Sequence, residues 1–140
     1  MDIRQITDRF FVAPQIEASD MQALADAGFT LVINNRPDME VGPDQSTATM
    51  QTAAEAAGLT FVVNPLTMET MTADRQELQL SSEQGANGKV LAYCRSGTRS
   101  AICWTLAQAG KVPADDLLAA TAAAGYDLRG LEPHLRASES

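Results

Sequence analysis

The segment Tyr93-Cys94-Arg95-Ser96-Gly97-Thr98-Arg99-Ser100 gathers the residue types that could do chemistry in this chain. A cysteine comes early, two arginines follow it closely, and small or hydroxyl-bearing residues fill the interval. Wrapped as a loop, such a segment turns its backbone N–H groups onto one point, with the N-terminus of a following helix behind them. The first anion held there is the Cys94 thiolate. Helix N-termini and nearby cations lower a thiol pKa from about 8.5 to roughly 3.5–7.5. Gly97 permits a backbone conformation that a side chain would obstruct. Arg99 offers a planar fork suited to two oxygens of a tetrahedral anion, a geometry that lysine lacks. Packing alone accounts for a cysteine at a strand end, but not for two arginines around a Ser-Gly pair. The chemistry implied is attack by a Cys94 thiolate on a bound anionic substrate. Arg95, Ser96, Gly97 and Thr98 would bind that substrate, Arg99 would stabilise charge in transfer, and Ser100 would hydrogen-bond the departing thiolate.

Positioning such a loop requires a strand before it and a helix after it. Lys89–Tyr93 reads as the strand, and a helix is expected from about Ser100 to Ala109. Earlier in the chain, Phe10–Ala13 reads as a strand closed by Pro14. A helix from Ser19 or Asp20 to about Ala27 is closed by Gly28. Phe29–Asn34 and Thr60–Asn64 read as strands buried on both faces. The segment from Asn35 to Gln45 reads as a loop, and Ser46 opens a helix that stops near Gly58. A third helical stretch runs from Thr72 to about Gln84, Pro113 starts another, and a short tail surrounds Leu131 to Leu135. Strands joined by helices of this length predict a three-layer α/β fold with a mainly parallel sheet, in one domain over residues 1–140. The Cys94 segment then lies at the carboxyl end of a parallel strand, where open α/β sheets bind ligands.

The chain has 140 residues, of which 10 are Lys or Arg, 18 are Asp or Glu, and one is His, for a formal charge of −8. That balance argues against nucleic acid or an anionic membrane as partner, since phosphate backbones require clustered cations. Two cysteines and a single histidine do not make a Cys- or His-rich zinc site, and no cofactor is expected. No run approaches the roughly 18 apolar residues of a membrane span, and the mixed N-terminus lacks an apolar signal core. A cytoplasmic protein with reduced thiols is the expectation. Cys103, inside the helix after the loop, reads as packing, and no spacing ties His134 to Cys94.

The Cys94–Ser100 segment resembles the active-site loops of the rhodanese and cysteine-dependent phosphatase families, in which a Cys-initiated loop cradles an oxyanion and the cysteine is a covalent nucleophile. Four residues separate Cys94 from Arg99, one fewer than in tyrosine and dual-specificity phosphatases, and Tyr93 stands where those carry histidine. Both departures lean toward rhodanese. The rest of the chain resembles a dual-specificity-phosphatase-like domain. The segments Phe11-Val12-Ala13-Pro14-Gln15-Ile16, Leu24-Ala25-Asp26-Ala27-Gly28-Phe29, Val32-Ile33-Asn34-Asn35-Arg36-Pro37-Asp38 and Ala124-Gly125-Tyr126-Asp127-Leu128 are similar to the phosphatase-like domain of bacterial beta-lactamase hydrolase-like proteins. This resemblance implies a tyrosine/dual-specificity phosphatase-like fold and puts Arg36 beside the anion site. It also implies a general acid, for which Glu69, Asp74 and Asp38 are the candidates. The function expected is a cysteine-dependent phosphatase-like hydrolase, with a rhodanese-like sulfurtransferase carrying a persulfide on Cys94 as the alternative. The partner is a small anionic substrate, either a phosphate ester or a sulfane-sulfur donor.

Overall fold

The computed structural model describes residues 1–139. Five strands form one mixed sheet: β1 (Arg4–Gln5), β2 (Phe10–Ala13), β3 (Phe29–Asn34), β4 (Thr60–Val63) and β5 (Lys89–Tyr93). Their order across the sheet is β1-β2-β5-β3-β4. All pairings are parallel except that of β1 with β2. The antiparallel edge strand β1 is too short for its pattern to be read from sequence. Six helices complete the fold: α1 (Met21–Asp26), α2 (Thr47–Ala56), α3 (Ala73–Gly85), α4 (Thr98–Ala107), α5 (Ala114–Ala123) and α6 (Glu132–Ser138).

The side chains of β5 alternate between two apolar cores because successive residues of a strand point to opposite faces. Val90 and Ala92 join Phe10, Val12, Leu31 and Ile33 under Ala101 and Trp104 of α4, Leu117 of α5 and Leu135 of α6. Leu91 and Tyr93 join Ala13 and Val32 under Met21 and Leu24 of α1 and Met50 and Ala54 of α2. The helices therefore make an outer layer on each face, and α3 packs along α4. In β3 the alternation slips, with a register shift between Phe29 and Leu31. Phe29 enters the α1–α2 core while Leu31 enters the other.

Two expectations are corrected. β4 is not buried on both faces: it ends the sheet, one residue shorter than expected, with Thr60 and Val63 exposed. An apolar run does not by itself distinguish a central strand from an edge strand. Helix α4 starts at Thr98, two residues before the expected Ser100, so that Thr98, Arg99 and Ser100 all lie in its first turn. Elsewhere the boundaries agree closely. The Ser46 side chain accepts the Thr49 N–H at 3.3 Å as the cap of α2. The segment between β3 and α2 contains two short 3-10 turns, Asp38–Glu40 and Pro43–Gln45.

Candidate active site

β5 lies between β2 and β3, and all its residues from Val90 to Tyr93 are buried. Cys94 follows directly and is fully buried. Its N–H donates to the Ala13 carbonyl at 3.4 Å, continuing the pairing with β2. Beyond it the chain turns. Arg95 and Ser96 are exposed, Gly97 is buried, Thr98 and Arg99 are half-buried, and Ser100 is fully buried. The turn depends on Gly97, whose φ of 90° is left-handed. A β-carbon there would run into the Tyr126 hydroxyl.

The carbonyls of this loop are tied outward. Arg95 O accepts the Gln15 N–H at 3.2 Å, Gly97 O accepts the Ala101 N–H at 3.0 Å, and Ser96 O accepts the Tyr126 hydroxyl at 3.1 Å. Gln79, itself buried, donates from Nε2 to Ser100 O at 3.2 Å. The amides behave differently. Gly97 N–H donates to Cys94 Sγ at 3.1 Å and Thr98 N–H to Ser96 Oγ at 3.3 Å. The N–H groups of Arg95, Ser96, Arg99 and Ser100 have no protein acceptor among the described residues. The first turn of any helix leaves such donors, together with the positive end of its dipole. Here they belong to the loop that follows Cys94, whose sulfur accepts the Gly97 N–H.

Arg99 is held by an acidic residue that the sequence reading did not single out. Its Nη1 donates to Glu40 Oε2 at 2.8 Å and to Leu66 O at 2.7 Å, and its Nη2 donates to Glu40 Oε1 at 2.7 Å. Arg36 holds the same glutamate, from Nε to Oε1 at 3.3 Å and from Nη2 to the Glu40 carbonyl at 3.1 Å. Its Nη1 reaches Gln15 Oε1 at 3.1 Å. Arg99, foremost, and then Arg36 hold the Glu40 carboxyl below the usual carboxylate range. Glu40 and the Cys94 sulfur in turn favour the charged form of Arg99 against the cost of its burial. The sequence signal for Glu40 was its spacing of four from Arg36, but that pairing is diagnostic on helices and this segment is not one.

The structure places the other expected residues as follows. Arg36 reaches the site through Glu40 and Gln15 rather than with an open fork. The Arg95 side chain has no acceptor among the described residues. Ser100 Oγ is buried and has no hydrogen-bond partner there, Cys94 included. Asp38 is occupied elsewhere, its Oδ1 accepting both the N–H and the hydroxyl of Thr47 at 2.7 Å, at the start of α2. Glu69 and Asp74 are exposed and make no ion pair among the described residues. Cys103 is buried in α4, where burial pushes its thiol up to about 12. His134 is exposed on α6. A cavity of about 380 Å³ lies at the opposite, amino end of β3 and β4, and its lining, which includes Thr30, Thr60 and Asn87, has no ionisable side chain. Among the described residues no helix is long and apolar enough to cross a membrane, and no group of three or more His, Cys, Asp or Glu could hold a metal ion.

Residues 2–111 match the family model of the beta-lactamase hydrolase-like protein, phosphatase-like domain. A beta-lactamase hydrolase-like protein of Agrobacterium fabrum is 32% identical over 146 residues, covering 95% of this chain and 34% of that protein. One from Xylella fastidiosa is 31% identical over 131 residues, covering 91% and 30%. The chain thus spans about one third of the length of these curated relatives. Among solved structures, a Neisseria meningitidis protein described as a candidate phosphatase is 29% identical, with a TM-score of 0.84 and 99% of each chain covered. P. aeruginosa TpbA, 15% identical, shares the fold with a TM-score of 0.59 over 97% of this chain and 91% of that one. These relatives support a phosphatase-like hydrolase, and the fold is that of tyrosine and dual-specificity phosphatases. By its sequence from residue 2 to residue 111 and by the fold built around Cys94, the chain belongs to the family of phosphatase-like domains of beta-lactamase hydrolase-like proteins.

Proposed function

We propose that residues 1–140 act as one cysteine-dependent phosphatase-like domain in which Cys94 is the nucleophile and the loop from Arg95 to Ser100 binds the substrate's phosphoryl oxygens. One observation carries this reading. The loop's Arg95, Ser96 and Ser100 carbonyls are bonded to Gln15, Tyr126 and Gln79, while the Gly97 N–H donates to the Cys94 sulfur and four further loop amides have no protein acceptor among the described residues. Fixed donors of this kind stabilise developing negative charge without having to reorganise during reaction.

In this mechanism the Cys94 thiolate attacks phosphorus, and the ester P–O bond breaks with its electron pair leaving on the alcohol or phenol oxygen. Water then cleaves the S–P bond, releasing phosphate and returning the thiolate. Arg99 binds the equatorial oxygens as charge shifts onto the leaving group. The buried Ser100 hydroxyl, which has no other partner among the described residues, donates to the thiolate as it departs in the second step. Asp38, Glu69 and Asp74 are not bound to this loop, so the leaving group departs without an assigned acid. Aryl esters, whose phenolates leave readily, are the substrates expected. The same-fold P. aeruginosa TpbA has been seen in complex with pTyr, in agreement with an aryl phosphate here.

The test compares turnover of p-nitrophenyl phosphate with turnover of thiosulfate plus cyanide, for wild type and Cys94→Ser. The expected result is aryl phosphate hydrolysis that Cys94→Ser reduces on the order of a thousandfold or more. Thiosulfate turnover without phosphate release would instead establish the persulfide-carrying alternative, which the four-residue interval between Cys94 and Arg99 also fits.

A further inference from the structure

We propose that Glu40 is the positioning residue of Arg99, gripping the end-on edge of its guanidinium so that the side-on edge is presented to the substrate anion. The inference rests on the reading of Arg99 as an anion ligand and deepens it. A guanidinium carries five N–H donors in a rigid plane. Three are engaged here: both Nη1 donors, by Glu40 Oε2 and Leu66 O, and one Nη2 donor, by Glu40 Oε1. The two that remain are Nε–H and the second Nη2–H. They lie on one edge, in the parallel pair that binds two oxygens of a phosphate.

The grip is itself braced. Arg36 holds the Glu40 carboxylate and its carbonyl, and Gln15 holds Arg36 at 3.1 Å. The neighbouring N–H of Gln15 fixes the Arg95 carbonyl at 3.2 Å. One connected set of bonds therefore orients both parts of the anion site, the loop amides and the Arg99 fork. Glu40 is charged and on average repels a bound anion, so its removal could act in either of two directions. If Glu40 merely filled the substrate's place on Arg99, removing it would tighten anion binding. If it positions Arg99, removing it frees a flexible side chain, and binding weakens.

The experiment measures how well tungstate, an inert tetrahedral oxyanion, protects Cys94 from alkylation by iodoacetamide, together with kcat and KM for p-nitrophenyl phosphate. Wild type, Glu40→Gln, Arg99→Ala and the double variant are compared. Glu40→Gln is expected to raise the tungstate concentration for half-protection on the order of tenfold, the scale of a lost charge-assisted hydrogen bond. Without tungstate, iodoacetamide should still label Cys94 and spare Cys103, which a collapsed fold would not. In the Arg99→Ala background Glu40→Gln should not weaken protection further, because Glu40 favours the anion only through Arg99. Tighter protection in Glu40→Gln, unchanged protection, or additive effects in the double variant would each overturn the proposal. So would the absence of tungstate protection in wild type. If the cycle holds but no aryl phosphate is turned over, the phosphatase reading fails while the role of Glu40 stands.

Discussion

The Tyr126 hydroxyl donates to the Ser96 carbonyl at 3.1 Å and occupies the space that a side chain on Gly97 would need. Thirty residues apart in the chain, the two ends of this contact explain each other. Gly97 is left-handed and bare, and Tyr126 fills the space this leaves while holding the Ser96 carbonyl. Burial raises the Tyr126 phenol above its ordinary value, so the group is a donor at neutral pH. Tyr126→Phe is expected to lose about 1 kcal/mol of stability, read by thermal melting, and to weaken tungstate protection of Cys94. Gly97→Ala should be worse on both measures, because it adds a left-handed strain of about 1 kcal/mol to the clash. Combining it with Tyr126→Phe should recover part of the loss. A Gly97→Ala protein that melts and binds like wild type would contradict this account.

The two cysteines should differ in reactivity. Burial pushes Cys103 up to about 12 from an ordinary value of 9.0, so it is a neutral thiol at pH 8. Iodoacetamide at that pH is expected to label Cys94 and spare Cys103, giving one adduct by mass spectrometry, and Cys103→Ala should turn over substrate as wild type does. A raised thiol pKa stabilises the folded state fully below about 9, and this contribution is lost as pH climbs toward about 12. The alkaline fall in melting temperature should therefore be shallower in Cys103→Ala.

Glu40 gives the opposite sign. Arg99 lowers its carboxyl pKa below the ordinary 4.5, so it stabilises the fold above that value, and the contribution disappears as pH falls through the lower folded value. Glu40→Gln should flatten the loss of stability below about pH 4.5, followed by denaturant unfolding at a series of pH values. An unchanged acid limb would show that the Glu40–Arg99 pair adds nothing to stability in solution.

Asp38 accepts both Thr47 donors at the start of α2, and its variant should behave accordingly. Its two bonds to Thr47 at 2.7 Å predict that Asp38→Ala costs about 1 kcal/mol of stability. The pH profile of kcat should not move. Asp74→Asn and Glu69→Gln should change aryl phosphate turnover by less than about threefold, since neither carboxylate is bound in the site. Loss of the basic limb of the kcat profile in any one of these variants would identify it as the missing acid.

Much of this protein was determined by local sequence. Buried parallel strands need continuous apolar runs, so Phe29–Asn34 and Lys89–Tyr93 are found where their composition puts them. The Cys94 loop was legible as a candidate site because a cysteine between such a strand and a helix, followed by glycine and arginines, has few structural reasons to exist. What local sequence left open were relationships between distant segments. The edge position of β4 is set by which strand pairs with β3 on its far side, and its apolar residues would read the same at the centre. Glu40 meets Arg99 across 59 residues, because the turns after β3 and β5 emerge side by side at the carboxyl edge of adjacent parallel strands. Asp38, two residues before Glu40 in the same short turn, bonds instead at the start of α2. Residue types singled out the Cys94 loop as a candidate site, but strand order alone decided which carboxylate would hold its arginine.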